Sequence, residues 1–384
     1  MATPLDQIVY PGSDQYTAEE LAAPGTIPIG LHGEPLVKVI DTAYIAFQVP
    51  DLQRQKAFLA DFGMVSAQGE AQGDDASLYM RGYGTAPYIY VAHKGNEAGF
   101  LGAGFLLACE EDLQYVAQDT GRPIEALDGP GGGQRVRLFD PDGFFVDLIW
   151  GRQQVAPLPT RSEGLPVNLP DTKNRVNRAL RTPLEPSAVQ RFGHYVLMVS
   201  DFEASWRWYR RHLGLLPTDV QCTTSGHPVL AFCRLDRGEL PADHHSVVLA
   251  SGPRATYMHS AYETVDQDAI GQGQQYLKQK GWRHFWGMGR HILGSQIFDY
   301  WLDPHGHEVE HYADGDVFDN TCPTQYHLMD RGGLWAWGDD VPAAMKPKPR
   351  FADIVKLVLG GATKRKMLLE MKRAMDRAPR PWLK

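Results

Sequence analysis

The sequence predicts an α+β protein built from two similar units that follow one another along the chain. In the first part of each unit, an apolar strand leads through a turn with Asp into an amphipathic helix that ends at a Gly. Later in each unit a strand runs into a helix, and two short strands flank an Asp-Pro-x-Gly turn. Three pairs of segments repeat in this way: 40–64 with 191–215, 102–121 with 259–281, and 138–150 with 301–312.

Length and composition place the chain among ordinary globular proteins. It has 384 residues, of which 43% are hydrophobic and 22% charged, enough for two or three domains. No apolar run is long enough to span a bilayer, and the polar, acidic start is not typical of a signal peptide. The four cysteines form no CxxC pair. We therefore expect a cytoplasmic protein with reduced thiols and no stable membrane insertion.

The charge is distributed unevenly. The net charge is -8, yet segment 341–384 holds twelve Lys or Arg against three acids, a net of +9 that leaves -17 for the rest. An acidic main body argues against nucleic-acid binding. The basic end predicts amphipathic helices, which could lie on a membrane surface but fit better against an acidic neighbouring surface or subunit. We accordingly expect a homo-oligomer.

The stretch FDYWLDPHGHEVEHY, residues 298–312, is unusually rich in acids and histidines. Asp303-Pro304 and Gly306 predict a turn that Asp303 closes, followed by a strand on which Glu308 and Glu310 share a face. A solvated edge strand is the simpler interpretation of such a run, and Glu308 is expected to be solvated. Whether Glu310 has a chemical role depends on partners elsewhere in the chain.

The two units differ at three corresponding strand positions. The second unit carries His194, His259 and Glu310, and the first carries Tyr44, a residue at about Ala103, and Asp147. Imidazole and carboxylate groups are common metal ligands, so this difference indicates that the second unit holds a metal and the first does not. Asp147 is then expected to be structural.

Three stretches of the second unit resemble one known family. GHYVLMV (193–199), MHSAYETVD (258–266) and DPHGHEVEHY (303–312) are similar to the vicinal oxygen chelate superfamily, and within it to the type I extradiol ring-cleavage dioxygenases. The resemblance covers about residues 40 to 320. It implies two domains, each made of two paired βαβββ modules that form an open, cup-shaped mixed sheet. Only the C-terminal domain would hold metal.

The resemblance also implies a set of site residues. His194, His259 and Glu310 would bind Fe(II), with Mn(II) as an alternative, and leave open positions for a catechol-type substrate and O2. The family spacing puts a histidine fourteen residues before the second His ligand, at His245. His244 is adjacent, and the choice rests on spacing alone; a substitution of His244 is expected to behave like the parent.

Two further positions follow from the same spacing. A histidine and a tyrosine lie nineteen and ten residues before Glu310, at His291 and Tyr300. In the implied mechanism His245 takes a catechol proton and later returns one as the O–O bond breaks, because imidazole titrates near neutrality. His291 and Tyr300 would donate hydrogen bonds to oxygen atoms where negative charge develops.

The predicted organisation has five parts. They are an N-terminal extension (1–35), an N-terminal domain without metal (36–152), a linker rich in Pro and Arg (153–190), a C-terminal catalytic metal-binding domain (191–320) and a C-terminal extension with a basic helical tail (321–384).

Three other functions of the same superfamily stay open on the sequence. A 4-hydroxyphenylpyruvate dioxygenase has a similar length and ligand set, but it does not require His245, His291 and Tyr300, and its C-terminal signature is not found here. A binding protein of the antibiotic-resistance type would not need the three ligands and these further groups together. A glyoxalase-type isomerase would leave His245, His291 and Tyr300 without an explanation.

Overall fold

The structure is a computed structural model that describes most of the chain. The described residues are 29–30, 33–67, 76–223, 226–329, 335–343, 361, 365–366 and 369–370. Most of the predicted N-terminal extension (1–35) and almost all of the basic tail (345–384) lie outside them.

The first half of the chain forms an eight-stranded sheet with strand order β2-β3-β4-β1-β5-β8-β7-β6. Two helices pack on it. Its elements are β1 Val39–Val49, α1 Leu52–Asp61, β2 Val65–Ser66, β3 Ser77–Arg81, β4 Tyr90–Lys94, β5 Gly99–Leu107, α2 Glu110–Thr120, β6 Ile124–Ala126, β7 Gln134–Phe139 and β8 Phe145–Trp150.

The second half forms a nine-stranded sheet with strand order β15-β16-β17-β14-β9-β13-β11-β10-β19, and β12 pairs with β18 beside it. Its elements are β9 Arg191–Val199, α3 Phe202–Leu213, β10 Leu216–Cys222, β11 Pro228–Arg234, β12 Ala242–Asp243, β13 Val247–Ser251, β14 Thr256–Glu263, α4 Gln267–Gln279, β15 Arg283–Arg290, β16 Ile297–Leu302, β17 Glu308–Ala313, β18 Val317–Phe318 and β19 Gln325–Leu328.

Each sheet consists of two βαβββ modules joined through their first strands. In the first sheet β1 pairs antiparallel with β5 and parallel with β4. In the second sheet β9 pairs antiparallel with β14 and parallel with β13. The predicted fold class is therefore confirmed. The domain boundaries proposed above stay predictions, although the two sheets lie within 39–150 and 191–328.

The repeated turn with Asp starts a helix in both halves. Asp51 accepts a hydrogen bond from the backbone N–H of Arg54, and Asp201 accepts one from that of Ala204, so each acts as an N-cap. Helix α3 ends at Gly214, whose φ of 72° is left-handed and suits glycine. Local residues thus set where these helices begin, and in α3 also where the helix ends.

The two sheets contact each other through equivalent loops. The loop before β17 places Asp303 Oδ2 3.0 Å from Gln55 Nε2 on α1, and the loop before β8 places Asp140 Oδ2 3.0 Å from Tyr209 Oη on α3. Each contact is buried. The Asp-Pro-x-Gly turns therefore join each half to the first helix of the other.

The chain between β8 and β9 has no helix or strand. It is anchored to the second half by Arg161, whose guanidinium donates to both oxygens of Asp266, the N-cap of α4. The four cysteines are free thiols, as expected. Among the described residues, no helix combines the length and the apolar run needed to cross a bilayer.

Candidate metal centre

Three adjacent strands of the second sheet carry the predicted ligands. His194 lies on β9, His259 on β14 and Glu310 on β17, and β14 runs between the other two. Ala261 on β14 is the register partner of both His194 and Glu310. His259 is two residues from Ala261 and so points to the same face, because side chains alternate along a strand. The ladder therefore brings three distant residues to one place.

The distances between these side chains suit a metal ion. One ligand atom from each residue can be chosen so that all lie within 4.8 Å of one another. Glu310 Oε2 is 3.5 Å from His194 Nε2 and 3.3 Å from His259 Nε2. Ligands about 2.1 Å from one ion are roughly 3 Å apart when they meet at right angles, so a small closure would complete the site.

Glu310 is completely buried, and neither of its carboxylate oxygens has a hydrogen-bond partner among the described residues. Burial by itself raises the pKa of this carboxyl, but His194, His259 and His291 around it hold the pKa well below its usual range. Burial lowers the pKa of His194, which favours the neutral imidazole that a metal needs. A buried carboxylate without hydrogen bonds is the kind of group that a bound cation satisfies.

His245 lies beside this triad. Its ring centroid is 4.1 Å from that of His194, and burial together with the neighbouring His194 and His244 lowers its pKa well below the ordinary value. A neutral imidazole in this position can accept a proton. The structure thus places His245, and not His244, against His194, while the catalytic role chosen from spacing stays a prediction.

His291 and Tyr300 lie on the other side of the carboxylate. His291 Nε2 is 3.7 Å from Glu310 Oε1 and 3.1 Å from Tyr300 Oη. Tyr300 on β16 is the register partner of Glu310, and its ring meets that of His259 edge-on at 5.1 Å. Burial, followed by the charge of Glu310, raises the pKa of Tyr300 well above the ordinary value, so it remains a hydroxyl donor.

His244 lies in direct contact with His245, and the expectation that its substitution behaves like the parent stays a prediction. His244 is buried, its Nδ1 is 2.8 Å from His245 Nδ1, and its Nε2 is 2.5 Å from Asp219 Oδ2. Asp219 Oδ1 in turn is 2.5 Å from His327 Nε2. Burial raises the pKa of Asp219, but the hydrogen bonds from His244 and His327 outweigh it and lower this pKa.

Sequence reasoning missed Asp219 and His327. They are 108 residues apart along the chain, and they meet because β19 adds to the edge of the sheet in parallel with β10. No motif near either residue signals this pairing. Only the dipeptide His244-His245 could have drawn attention to a second histidine behind the first.

The turn before β17 behaves as expected, whereas Glu308 does not. Asp303 accepts hydrogen bonds from the backbone N–H groups of His305 and His307, which closes the turn. Glu308 is only partly exposed, and burial raises its pKa to about 7, so the expectation of a solvated carboxylate is corrected. His311 is buried and packs against Phe62 on the opposite side of the strand from Glu310.

The corresponding positions of the first sheet contain no such set. Tyr44 occupies the place of His194, and Asp147 that of Glu310; the strand register puts Gly102, rather than Ala103, at the place of His259. Asp147 is fully buried and accepts hydrogen bonds from Tyr44 Oη at 2.5 Å and from Arg137 Nε at 2.7 Å. The guanidinium groups of Arg137 and Arg135 offset its charge and the Tyr44 hydroxyl donates to it, so the expected structural role stays a prediction.

The fold is of the vicinal oxygen chelate type, and its second sheet carries the buried His-His-carboxylate triad. Residues 191–311 match the profile of the "Glyoxalase/Bleomycin resistance protein/Dioxygenase superfamily". The expected resemblance to extradiol dioxygenases is confirmed by the relatives described next.

Two curated relatives align with most of the chain. Metapyrocatechase 2 of Cupriavidus necator is 28% identical over 314 residues, which span 78% of this chain and 89% of that protein. The 3-methylcatechol 2,3-dioxygenase of Pseudomonas putida is 24% identical over 314 residues, 78% of this chain and 98% of that protein.

Solved structures share the whole two-sheet architecture. The homoprotocatechuate 2,3-dioxygenase of Arthrobacter globiformis superposes with a TM-score of 0.67 at 20% identity, over 84% of this chain and 95% of that one. The Mn(II)-bound glyoxalase of Novosphingobium aromaticivorans superposes with a TM-score of 0.65 at 21% identity, over 82% of this chain and 95% of that one. At these identities the likeness establishes the fold alone.

Proposed function

We propose that this protein is a dioxygenase that opens the ring of a catechol on the extradiol side and incorporates both atoms of O2. The observation that carries the proposal is the triad of His194, His259 and Glu310, in which the buried carboxylate accepts no hydrogen bond from the part of the chain that the structure describes. The names of the aligned relatives, a metapyrocatechase and a 3-methylcatechol 2,3-dioxygenase, support the same chemistry.

Fe(II) is the proposed metal. Two neutral imidazoles and one carboxylate leave a divalent ion with a net positive charge and with open positions, and this donor set is typical of non-haem Fe(II) oxygenases. Mn(II) accepts the same ligands. When bound, the metal would act as a Lewis acid toward the catechol and as a path for electrons between the ring and O2.

The chain's own groups divide the proton chemistry between them. His245 is neutral and close to His194, so it can accept a proton from a catechol hydroxyl and return one later in the reaction. Tyr300 keeps its proton and, together with His291, can donate hydrogen bonds to a substrate oxygen that gains negative charge.

The substrate is proposed to approach on the side of His259 and His291. Their side chains are 13% and 18% exposed, whereas those of His194 and Glu310 are 2% and 0% exposed. A catechol arriving from that side would reach the open positions of the metal without passing through the core of the sheet.

Anaerobic loading with Fe(II), followed by a catechol and then air, tests the proposal. We expect a yellow ring-fission product and the uptake of one O2 for each catechol, across a panel of monocyclic and bicyclic catechols. Parallel loading with Mn(II) shows which metal supports turnover. The absence of oxygen uptake with every catechol, or oxygen uptake with 4-hydroxyphenylpyruvate instead, would reject this function.

A cytoplasmic homo-oligomer is the proposed state of the protein. Four free thiols suit a reducing compartment, and the acidic body complements the basic segment 341–384. Light scattering coupled to gel filtration, at low and high salt, measures the assembly directly; a monomer under both conditions would contradict the proposed oligomer.

A further inference from the structure

A cavity of about 550 Å³ lies in the first sheet, away from the triad. This volume is in the range of small-molecule binding sites. Its walls combine phenol rings with cationic and imidazole side chains, including Tyr44, Tyr79, Tyr88, His93, Arg135 and Arg137.

The cavity occupies the place in the first sheet that the triad occupies in the second. The parallel ladder of β1 with β4 puts Tyr88 where the ladder of β9 with β13 puts His245. Likewise Arg137 faces Asp147 across β7 and β8, as Tyr300 faces Glu310 across β16 and β17. The first sheet thus keeps the concave site but lines it with hydrogen-bond donors in place of metal ligands.

Two guanidinium groups surround a buried carboxylate beside this cavity. Asp147 is fully buried, and both Arg137 and Arg135 form ion pairs with it, at 2.7 Å and 3.3 Å. Arg135 also pairs with Glu125, which is 46% exposed and screened by water. Asp128, an acid of the cavity lining, is exposed as well.

Each guanidinium retains unused donors. Arg137 uses Nε and Nη2 on Asp147, and Arg135 uses Nε and Nη1 on its two acids. Within the described part of the chain, Arg137 Nη1 and Arg135 Nη2 donate to no protein acceptor. Burial lowers the pKa of His93, and the charges of Arg137 and Arg135 lower it further, so their field reaches across the cavity.

The remaining walls are aromatic and apolar. The rings of Tyr79 and Tyr88 meet edge-on at 4.9 Å, and Arg137 lies over the ring of Phe145 at 3.8 Å. Val91 and Leu127 complete the lining. A planar aromatic ring fits such walls, and a carboxylate fits the guanidinium donors.

We propose that this cavity is a second ligand site, separate from the triad, that binds a small aromatic carboxylate. The ring would lie among Tyr79, Tyr88 and Phe145, and the carboxylate would accept hydrogen bonds from Arg135 and Arg137.

Isothermal titration of the full metal-loaded chain with benzoate tests the site, and benzamide is the neutral control of the same shape. We expect one benzoate per chain and at least roughly tenfold weaker binding of benzamide, since hydrogen bonds to charged groups are the strong ones. Equal binding of the two compounds, or no benzoate binding, would overturn the proposal.

Two variants locate the ligand. Arg135→Gln should weaken benzoate binding roughly tenfold or more, and the fold should survive because Asp147 keeps Arg137 and Tyr44. Leu127→Trp should abolish binding by filling the cavity without altering its charges. His259→Ala, in the other sheet, should bind benzoate like the parent.

Crystals soaked with 4-bromobenzoate give an independent position through the anomalous signal of bromine. The proposal requires bromine in the first sheet, with the carboxylate on the two arginines. Bromine at the triad, or benzoate binding that is lost in His259→Ala but kept in Arg135→Gln and Leu127→Trp, would assign the ligand to the metal centre and overturn the second site.

Discussion

His245 Nδ1 lies 2.8 Å from His244 Nδ1, so the two adjacent imidazoles share one hydrogen bond. His244 Nε2 must donate its proton to Asp219, because an ionised carboxylate only accepts. When His244 carries only that one proton, its Nδ1 is bare and accepts the proton on His245 Nδ1. In this tautomer Nε2 of His245 is the basic atom.

His245→Asn should keep the metal and bind catechol, yet slow ring opening by roughly 10² to 10⁴, the usual effect of losing a general acid–base group. Stopped-flow mixing of the anaerobic substrate complex with O2 measures this step. His305→Asn, in the turn before β17, is the matched control and should react like the parent. Equal rates in the parent and the His245 variant would remove His245 from the mechanism.

Asp219→Asn should lower kcat roughly tenfold with little change in KM or metal content, since groups that orient a functional histidine typically have effects of this order. The amide removes the charge that fixes the tautomer of His244. Asp299→Asn is the control. Asp299 is also a buried carboxylate that is hydrogen-bonded to a histidine, His284, but it does not belong to the hydrogen-bond network of His245, His244 and Asp219. An unchanged kcat in Asp219→Asn would mean that this hydrogen-bond network is merely structural.

His194→Ala, His259→Ala and Glu310→Ala should each lose the metal and the activity, because a site with three protein ligands loses much of its affinity with two. Elemental analysis after anaerobic loading, together with circular dichroism to verify folding, gives the result. Full iron content and normal turnover in any one of the three variants would exclude that residue as a ligand.

Asp147→Ala should destabilise folding by about 1–3 kcal/mol, the usual cost of leaving a buried hydrogen-bonding group, here the Tyr44 hydroxyl, without its partner, while the folded protein keeps its iron. Tyr44→Phe removes only the hydroxyl that donates to Asp147 and should cost about 1 kcal/mol. Denaturant unfolding and metal analysis measure both variants. Loss of iron from folded Asp147→Ala would show that the site had been placed in the wrong sheet.

The sequence by itself determined the modules and the identity of the candidate ligands. Asp51 and Asp201 start equivalent helices through local hydrogen bonds, and the alternation after Gly306 puts Glu310 on one face of its strand. Such features depend on residues a few positions apart, so they are visible in the chain. Family resemblance added the choice of His245 over its neighbour.

Only the tertiary structure decided what surrounds those ligands. A hydrogen-bond network runs from His245 through His244 to Asp219 and His327. Its last link depends on β19 joining the sheet beside β10. The replacement of a metal by guanidinium groups at Asp147 depends on β7 lying next to β8. The first arrangement joins strands that are far apart in the chain, and in the second only the register of the β7–β8 hairpin shows that Arg137 faces Asp147.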